Sequence, residues 1–558
     1  MGSPQITGLG SRAAALESLR STARNPLDVL VVGGGITGAG IALDAASRGF
    51  SVGLAERLDF ASGTSSKSSK LVHGGLRYLE QREFALMREA CTERDLLRRL
   101  APHLVEPIPF VLPASHRSTR AKFGVGLWAY DALASFRNLK IHKHVEGSEA
   151  EALVPAFPRG KLRGAYVFYD CKTDDVRLVM ENLVQAKRYG AVSANYCMVR
   201  DIVGSDRGCI ATVEDTVSDE VFEIHAARVV SAAGVWADRV EELARPGATP
   251  RLRPSKGVHI LLDRESLPLS EAAAFIPDVE RKRMLFVIPW LDAVLVGTTD
   301  TPHEGTLDQP VVEATERAYC LDSLNATFGT SLRDTDIIGA YAGLRPLIAG
   351  RRDETADLSR RHAVYEISPG VIGITGGKMT TYRRMARDAV DRIADDLGNA
   401  NKSRTRWIRL GSSKVGPLQA AVARRGRALG ISAAAVSDLV RAYGDRAFEV
   451  LDVADATGLT QPLVDGSAPI AAVAAYSVRA EMAVSASDLL ARRTRLSLID
   501  PQAGLGSPVV GEVLARELDW TEAETARQLS AHRASVELER DLPLHPSAPR
   551  SDAEVAAG

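Results

Sequence analysis

At 558 residues the chain is too long for one ordinary core, and 45% hydrophobic with 25% charged residues is the composition of a globular protein with two or three packed units. Lys+Arg (69) nearly balance Asp+Glu (70), so no global field draws the chain to nucleic acid or anionic lipid, and anion binding must be local. Cys91, Cys171, Cys197, Cys209 and Cys320 are scattered, with no CxxC pair and no metal-type cluster, which argues against a disulfide framework and for a reducing compartment.

The first 27 residues place Arg12, Arg20 and Arg24 among alanines and leucines without the apolar stretch of a secretory signal, so residues 1–27 are expected to be a tail with a frayed or surface helix. Nowhere do about 18 consecutive apolar residues occur, and no membrane-spanning segment is expected.

Residues 28–56, DVLVVGGGITGAGIALDAASRGFSVGLAE, carry a β-type run at 28–32, a Gly33-x-Gly35-x-x-Gly38 break, a helical stretch at 36–48 and a second β run ending at Glu56. This is a βαβ unit with a dinucleotide fingerprint in its proper context. Gly33 allows the tight turn, Gly35 lets backbone approach a pyrophosphate, and Gly38 lets helix and strand pack closely, while the helix N-terminus offers unpaired N–H groups to the phosphates. Glu56 is close to the spacing at which an acid accepts hydrogen bonds from an adenosine ribose, and it would repel a 2′-phosphate. The motif by itself leaves FAD and NAD open.

Residues 65–80, SSKSSKLVHGGLRYLE, follow one anion site with small hydroxyls, two lysines, a His-Gly-Gly step and an Arg-Tyr pair. Farther on, residues 81–170 and about 255–345 interrupt the nucleotide-binding core. Residues 286–290 and 294–299 flank a Leu-Asp-Ala turn and predict a hairpin in a β-rich substrate domain. Residues 229–233 form a β run feeding Gly234. Another β run at 371–375 leads to Gly376-Gly377, after which Thr380 or Thr381 is expected to N-cap a helix. Residues 401–416, polar with Gly411 and Gly416, predict a linker; from Pro417 to about 545 the pattern is helical, with a Thr521-x-x-Glu524 capping box, and 546–558 is a tail. The expected architecture is α/β: a Rossmann-type core over 28–400 with an interleaved β-rich substrate domain, and an all-α C-terminal domain.

The ordered set GGGITG, Glu56, SSKSSKLVHGGLRYLE, VVSAAGVWAD (229–238), SKGVHI (255–260), IPW…VGTTD (288–300), YAGLRPL (341–347) and TGGKMTTYR (375–383) closely resembles the FAD-dependent, respiratory glycerol-3-phosphate dehydrogenases, over about residues 28 to 540. HGGLRYLE and GGKMTTYR are the narrower signatures, while GGGITG and AAGVWAD are shared across a larger flavoenzyme superfamily. The resemblance implies FAD as cofactor, with Gly33, Gly35, Gly38, Glu56 and Gly234 on its adenosine side. It places Ser65, Ser66 and Ser69 along the phosphates and ribityl chain, His73, Gly74 and Gly75 against the isoalloxazine ring, and Gly376, Gly377 and Thr380 at the flavin. A helix N-terminus there would stabilise the negative charge that develops near N1 and C2=O on reduction.

A phosphate monoester dianion needs several convergent donors, for which the planar fork of arginine is suited. Motif position nominates Arg77, Tyr78, Arg360 and Lys378 as substrate-binding residues, and His259, Arg345 and Lys378 as the catalytic set. A cation set this large favours a phosphorylated polyol over an amino acid. The expected reaction is oxidation of sn-glycerol 3-phosphate to dihydroxyacetone phosphate, with hydride passing from C2 to flavin N5 and His259, of near-neutral pKa, as the base. Arg345 would hold the developing alkoxide or the phosphate. No metal is expected at the site.

The resemblance further implies a respiratory quinone as electron acceptor, a cytoplasmic protein attached peripherally to the inner face of the cytoplasmic membrane, and room for a homodimer. The basic clusters Arg424-Arg425-Gly426-Arg427 and Arg492-Arg493-Thr494-Arg495 are either solvated helix faces or contacts to lipid headgroups. Three rival readings remain: a glycerol-3-phosphate oxidase using oxygen, an amino-acid or sarcosine-type oxidase, and a flavin-binding scaffold without turnover.

Overall fold

The computed structural model describes residues 7–75, 83–114, 117–133, 140–280, 283–349, 362–412 and 414–545. Its nucleotide-binding sheet runs in the order Ala363–Ser368, Val371–Thr375, Glu220–Ser231, Leu27–Val32, Val52–Ala55, Val192–Ala194. Leu27–Val32 pairs in parallel with Glu220–Ser231 on one side and with Val52–Ala55 on the other. Such strands are covered on both faces and therefore read as unbroken apolar runs, as Val29-Leu30-Val31 does with no side-chain exposure. The helix Ile36–Ser47 lies close to this sheet because its glycines leave room. A Cβ on Gly38 would collide with the carbonyl oxygen of Gly33, and one on Gly40 would meet the Tyr382 ring at 2.8 Å.

The second sheet is mostly antiparallel, in the order Thr301–Pro302, Ser255–Asp263, Ala293–Gly297, Met284–Trp290, Ala273–Pro277, Glu106–Pro113, Gly164–Lys172, Leu71–Val72. Ile337–Arg345 also pairs with Ser255–Asp263, setting His259 opposite Tyr341 and Ser255 opposite Arg345. The predicted hairpin is present as Met284–Trp290 and Ala293–Gly297, with Trp290 paired to Ala293. Its connection is two residues long, and Leu291 takes a left-handed conformation (φ 52°).

From Val415 the chain is helical, and Val422, Leu439, Leu451, Tyr476 and Leu514 share a core separate from the sheets. Half of the expected capping box forms: the Thr521 hydroxyl accepts from the Glu524 N–H at 3.2 Å, while the Glu524 carboxylate turns to Arg527 and Gln528. Among the described residues no helix is long and apolar enough to cross a membrane. All five cysteines are buried free thiols.

Several boundaries differ from expectation for reasons of packing. Residues 12–20 form the expected helix, but it is docked rather than frayed: Leu16 and Leu19 are buried and Arg12 pairs with Asp215 at 2.5 Å. The polar stretch after residue 400 is not slack, because Ile408 and Leu410 enter the core of the nucleotide-binding domain and Ser403 bonds to buried Asp44.

The cluster at 492–495 is a buried network joining the helical domain to the sheets and offers nothing to lipid. Arg492 and Arg493 bind Asp59, at 2.5 and 2.9 Å, and Arg495 binds Asp174 at 2.7 Å and also Asp175. At the other cluster Arg425 pairs with Asp452, while Arg424 and Arg427 are exposed.

Candidate active site

The carboxyl ends of Leu27–Val32, Val52–Ala55, Glu220–Ser231 and Val371–Thr375 open onto one cavity of about 730 Å³, the position at which a doubly wound sheet binds its ligand. Gly33, Gly35, Glu56, Ser65, Gly234, Gly376, Gly377 and Thr380 line it, and so do Ser69, His73, Gly75, His259, Arg345 and Lys378. Gly33, at φ 112°, is a turn that a side chain would strain, and a Cβ there would lie 2.7 Å from the Ala232 carbonyl. The Glu56 carboxylate accepts from the Gly34 N–H at 2.6 Å and the Leu58 N–H at 2.9 Å. Burial raises its pKa, and these two bonds oppose the rise.

Three expected cofactor residues stand behind the wall rather than in it. Gly38 packs helix on strand. Ser66 turns its hydroxyl to the Gly63 carbonyl, at 3.2 Å. Gly74 donates its N–H to Asp170 at 3.1 Å, in a space that a Cβ would share with Cys91 and the Tyr130 hydroxyl. Ser65 has a specific partner: its hydroxyl accepts from the Ile36 N–H at 2.9 Å, in the first turn of the fingerprint helix. Thr380 does not cap a helix; it sits in a short 3-10 turn, Met379–Thr381, before the helix Tyr382–Asp396, and accepts from the His73 N–H at 3.2 Å. Thr381 does stand at the N-cap position of that helix, but its hydroxyl donates back to the Lys378 carbonyl instead of capping it. The Thr380 bond ties His73 to the turn that follows Gly376-Gly377, and both segments line the cavity.

On the substrate side His259 is buried, with its ring stacked on Tyr341 at a centroid separation of 4.9 Å. Its Nε2 lies 2.8 Å from the Ser69 hydroxyl, and its Nδ1 is buried with no hydrogen-bond partner among the described residues. The near-neutral pKa expected for it is corrected: burial first, and the charges of Arg345 and Lys70 second, place it well below 6.5, so the ring is neutral at physiological pH. Arg345 lines the cavity with its guanidinium held by Asp300 at 3.2 Å, Thr298 Oγ1 at 3.0 Å and the Thr299 carbonyl at 3.0 Å. Arg77, Tyr78 and Arg360 lie outside the described residues.

Reading the chain residue by residue missed Arg283, Lys122 and Asp300, all of which line the cavity. Arg283 donates to the Asp300 carbonyl at 3.0 Å and pairs with its carboxylate at 3.3 Å. A signal for Asp300 existed in the VGTTD motif, where an acid closes an otherwise apolar strand; Arg283 had none. Among the described residues no group of His, Cys, Asp and Glu could hold a metal ion.

A glycine-lined cradle at the strand ends that runs on into a pocket walled by cations and a neutral histidine defines a dinucleotide-binding oxidoreductase, and the comparisons narrow the class. Residues 28–391 match the FAD dependent oxidoreductase family, and residues 403–525 match the C-terminal domain of alpha-glycerophosphate oxidase. The chain is 38% identical to glycerol-3-phosphate dehydrogenase 2 of Mycobacterium bovis, over 98% of this chain and 96% of that one. It is 34% identical to the mitochondrial glycerol-3-phosphate dehydrogenase of Mus musculus, over 93% of this chain and 74% of that one. Among solved structures, the glycerol-3-phosphate dehydrogenase from Bacillus halodurans complexed with FAD superposes with a TM-score of 0.79 at 29% identity, covering 97% of this chain and 100% of that one. The chain belongs to the family of FAD-dependent glycerol-3-phosphate dehydrogenases. Its cofactor is FAD, which fits the residues present: backbone at Gly33, Gly35, Gly376 and Gly377 free of side chains, and a carboxylate at Glu56.

Proposed function

We propose that this chain oxidises sn-glycerol 3-phosphate to dihydroxyacetone phosphate and passes the electrons to a respiratory quinone. The observation that carries the reading is that Arg345, Arg283 and Lys378 line the same cavity as the neutral imidazole of His259, beside the glycine-lined cradle. Bound FAD supplies a hydride acceptor at N5. The arginines and Lys378 bind the phosphate dianion, and Arg345 or Lys378 steadies the oxygen on C2 as its proton leaves. His259 takes that proton. Its low proton affinity in the substrate-free site comes partly from Arg345, and a dianion resting on Arg345 offsets this charge just when the proton must move. Glu56, Ser65 and the glycines of the cradle hold the cofactor.

The membrane side of the reading is supported by the helix Arg117–Leu133. It exposes Val125 and Trp128 while Lys122, Phe123, Gly126 and Leu127 of the same helix line the cavity. An apolar surface with basic residues at the mouth of a redox site suits a peripheral contact with the inner face of the cytoplasmic membrane, where a quinone is delivered. Flotation with anionic vesicles tests it: Val125→Asp/Trp128→Asp should abolish co-flotation, and unchanged flotation would remove this helix from the contact.

Anaerobic mixing with glycerol 3-phosphate tests the reaction. Loss of flavin absorbance at 450 nm, roughly the position of the oxidised flavin band, is expected, with reoxidation by a soluble quinone. Bleaching by glycine or sarcosine instead would favour the amino-acid rival. The match of residues 403–525 to an oxidase domain keeps oxygen as a second acceptor, and stoichiometric peroxide would decide for it.

A further inference from the structure

Residues 66–70 are held from below by a buried charge cluster that the reaction as described does not use. Lys70 has a left-handed backbone (φ 56°), uncommon for a residue with a side chain and retained only where the surroundings over-determine it. Its ammonium is fully buried and donates to both Asp175 oxygens, at 2.8 and 3.0 Å, and to the Ser66 carbonyl at 2.5 Å. Asp175 also accepts from the Ser68 hydroxyl at 2.7 Å and is bound from the helical domain by Arg495. The ammonium lies 4.9 Å from the centre of the Tyr341 ring. That ring stacks on His259, and its hydroxyl donates to the Ser68 carbonyl at 2.5 Å.

We propose that Lys70, clamped by Asp175 and Arg495, is a positioning residue for the proton transfer: it fixes Ser69 and Tyr341, which in turn set the orientation and tautomer of His259. The inference rests on the function proposed above and adds a connection from the helical domain to the reacting histidine. Nε2 is engaged by Ser69, so the side of the ring that meets substrate is decided by where the Ser69 hydroxyl stands. That position is decided one residue away, by a left-handed backbone held from below by the Lys70 ammonium on Asp175 and the Ser66 carbonyl. A cation beneath the Tyr341 ring also fixes the ring that holds the imidazole plane.

The test uses the flavin-loaded full chain with Lys70→Met, which keeps the bulk of the side chain and leaves Asp175 paired to Arg495, alongside Ser69→Ala and the double variant. Lys70→Met is expected to lower kcat about 30-fold with KM within about 3-fold. Ser69→Ala should do the same, and the double variant should be no slower than either single one, since two residues acting through one histidine are not additive. Independently of turnover, 15N-histidine spectra, with His259 assigned by its loss in His259→Gln, should show one tautomer in the wild type and a mixture in both single variants. Wild-type kcat and a wild-type tautomer in folded Lys70→Met would overturn the proposal, as would additive losses. Should Lys70→Met not fold, Asp175→Asn with the same spectra decides: an unchanged tautomer counts against the clamp. A wild type that does not bleach with glycerol 3-phosphate would instead sink the function, leaving the tautomer result to stand on its own.

Discussion

Asp300 holds Arg345 at 3.2 Å and Arg283 at 3.3 Å, one carboxylate orienting two guanidiniums, one from the end of the strand Ile337–Arg345 and the other from just before the strand Met284–Trp290. The two charges survive as one net positive charge facing the cavity, with their planes set before any ligand arrives.

Arg345→Ala should therefore keep its flavin and lower kcat/KM by ~100-fold or more, since a charge-assisted pair contributes about 2–3 kcal/mol. Asp300→Asn leaves both arginines in place but unaligned, and a loss of about 10-fold is expected. Steady-state kinetics on flavin-loaded protein measures both, and a wild-type Arg345→Ala would take that residue out of the site.

Glu56→Ala removes the acceptor of two backbone N–H groups and, in the function proposed, the ribose contact. Weaker FAD retention on dilution is expected, together with a loss of about 1–3 kcal/mol in the flavin-free protein. Full flavin occupancy after gel filtration would contradict the ribose role.

The pH dependence follows from His259. Because its pKa lies well below 6.5, kcat/KM expressed per substrate dianion, which removes the phosphate's own titration near about pH 6, should stay level as pH falls through 6.5, where an ordinary histidine would lose activity. An inflection centred there would show a solvated imidazole.

Stability should nevertheless fall in acid. His103 is buried between Gly411 and Gly444, neither ring nitrogen has a partner among the described residues, and burial holds its pKa at about 4. Between pH 6.5 and 4 the unfolded chain takes up a proton there and the native one does not, so stability drops by about 1.4 kcal/mol per pH unit from this group. His103→Leu should narrow the gap between the melting temperatures at pH 7 and pH 5.

Asp59 behaves in the opposite way over a lower range. Burial alone would raise its pKa, but Arg493 and Arg492 overcome that and hold it at about 2, so its contribution is present above 3.8 and is lost as pH falls toward 2. Asp59→Asn breaks a buried pair between domains and should cost about 3–5 kcal/mol in urea unfolding, with kcat of the remaining folded enzyme little changed.

These residues also mark where the sequence could be read and where it could not. The fingerprint glycines were legible because each answers to a constraint within a few residues, such as Gly38 against the Gly33 carbonyl. The run at 492–495 read as a surface cluster because its partners Asp59 and Asp174 are more than 300 residues away and burial leaves no local mark on an arginine. Arg283 and Asp300 become a pair only when two strands align. The lysines of SSKSSK have partners that no local pattern announces: Lys67 pairs with Glu539 and Lys70 with Asp175.

That Lys67–Glu539 contact has a bearing on how the protein is made. The wall of the cavity at residues 65–70 is finished by Arg495 and Glu539, so a nascent chain still threaded through the ribosome has the nucleotide cradle but not its backing. The segment that lines the flavin cavity therefore gains its full support only once Glu539 has been made and has folded back onto Lys67.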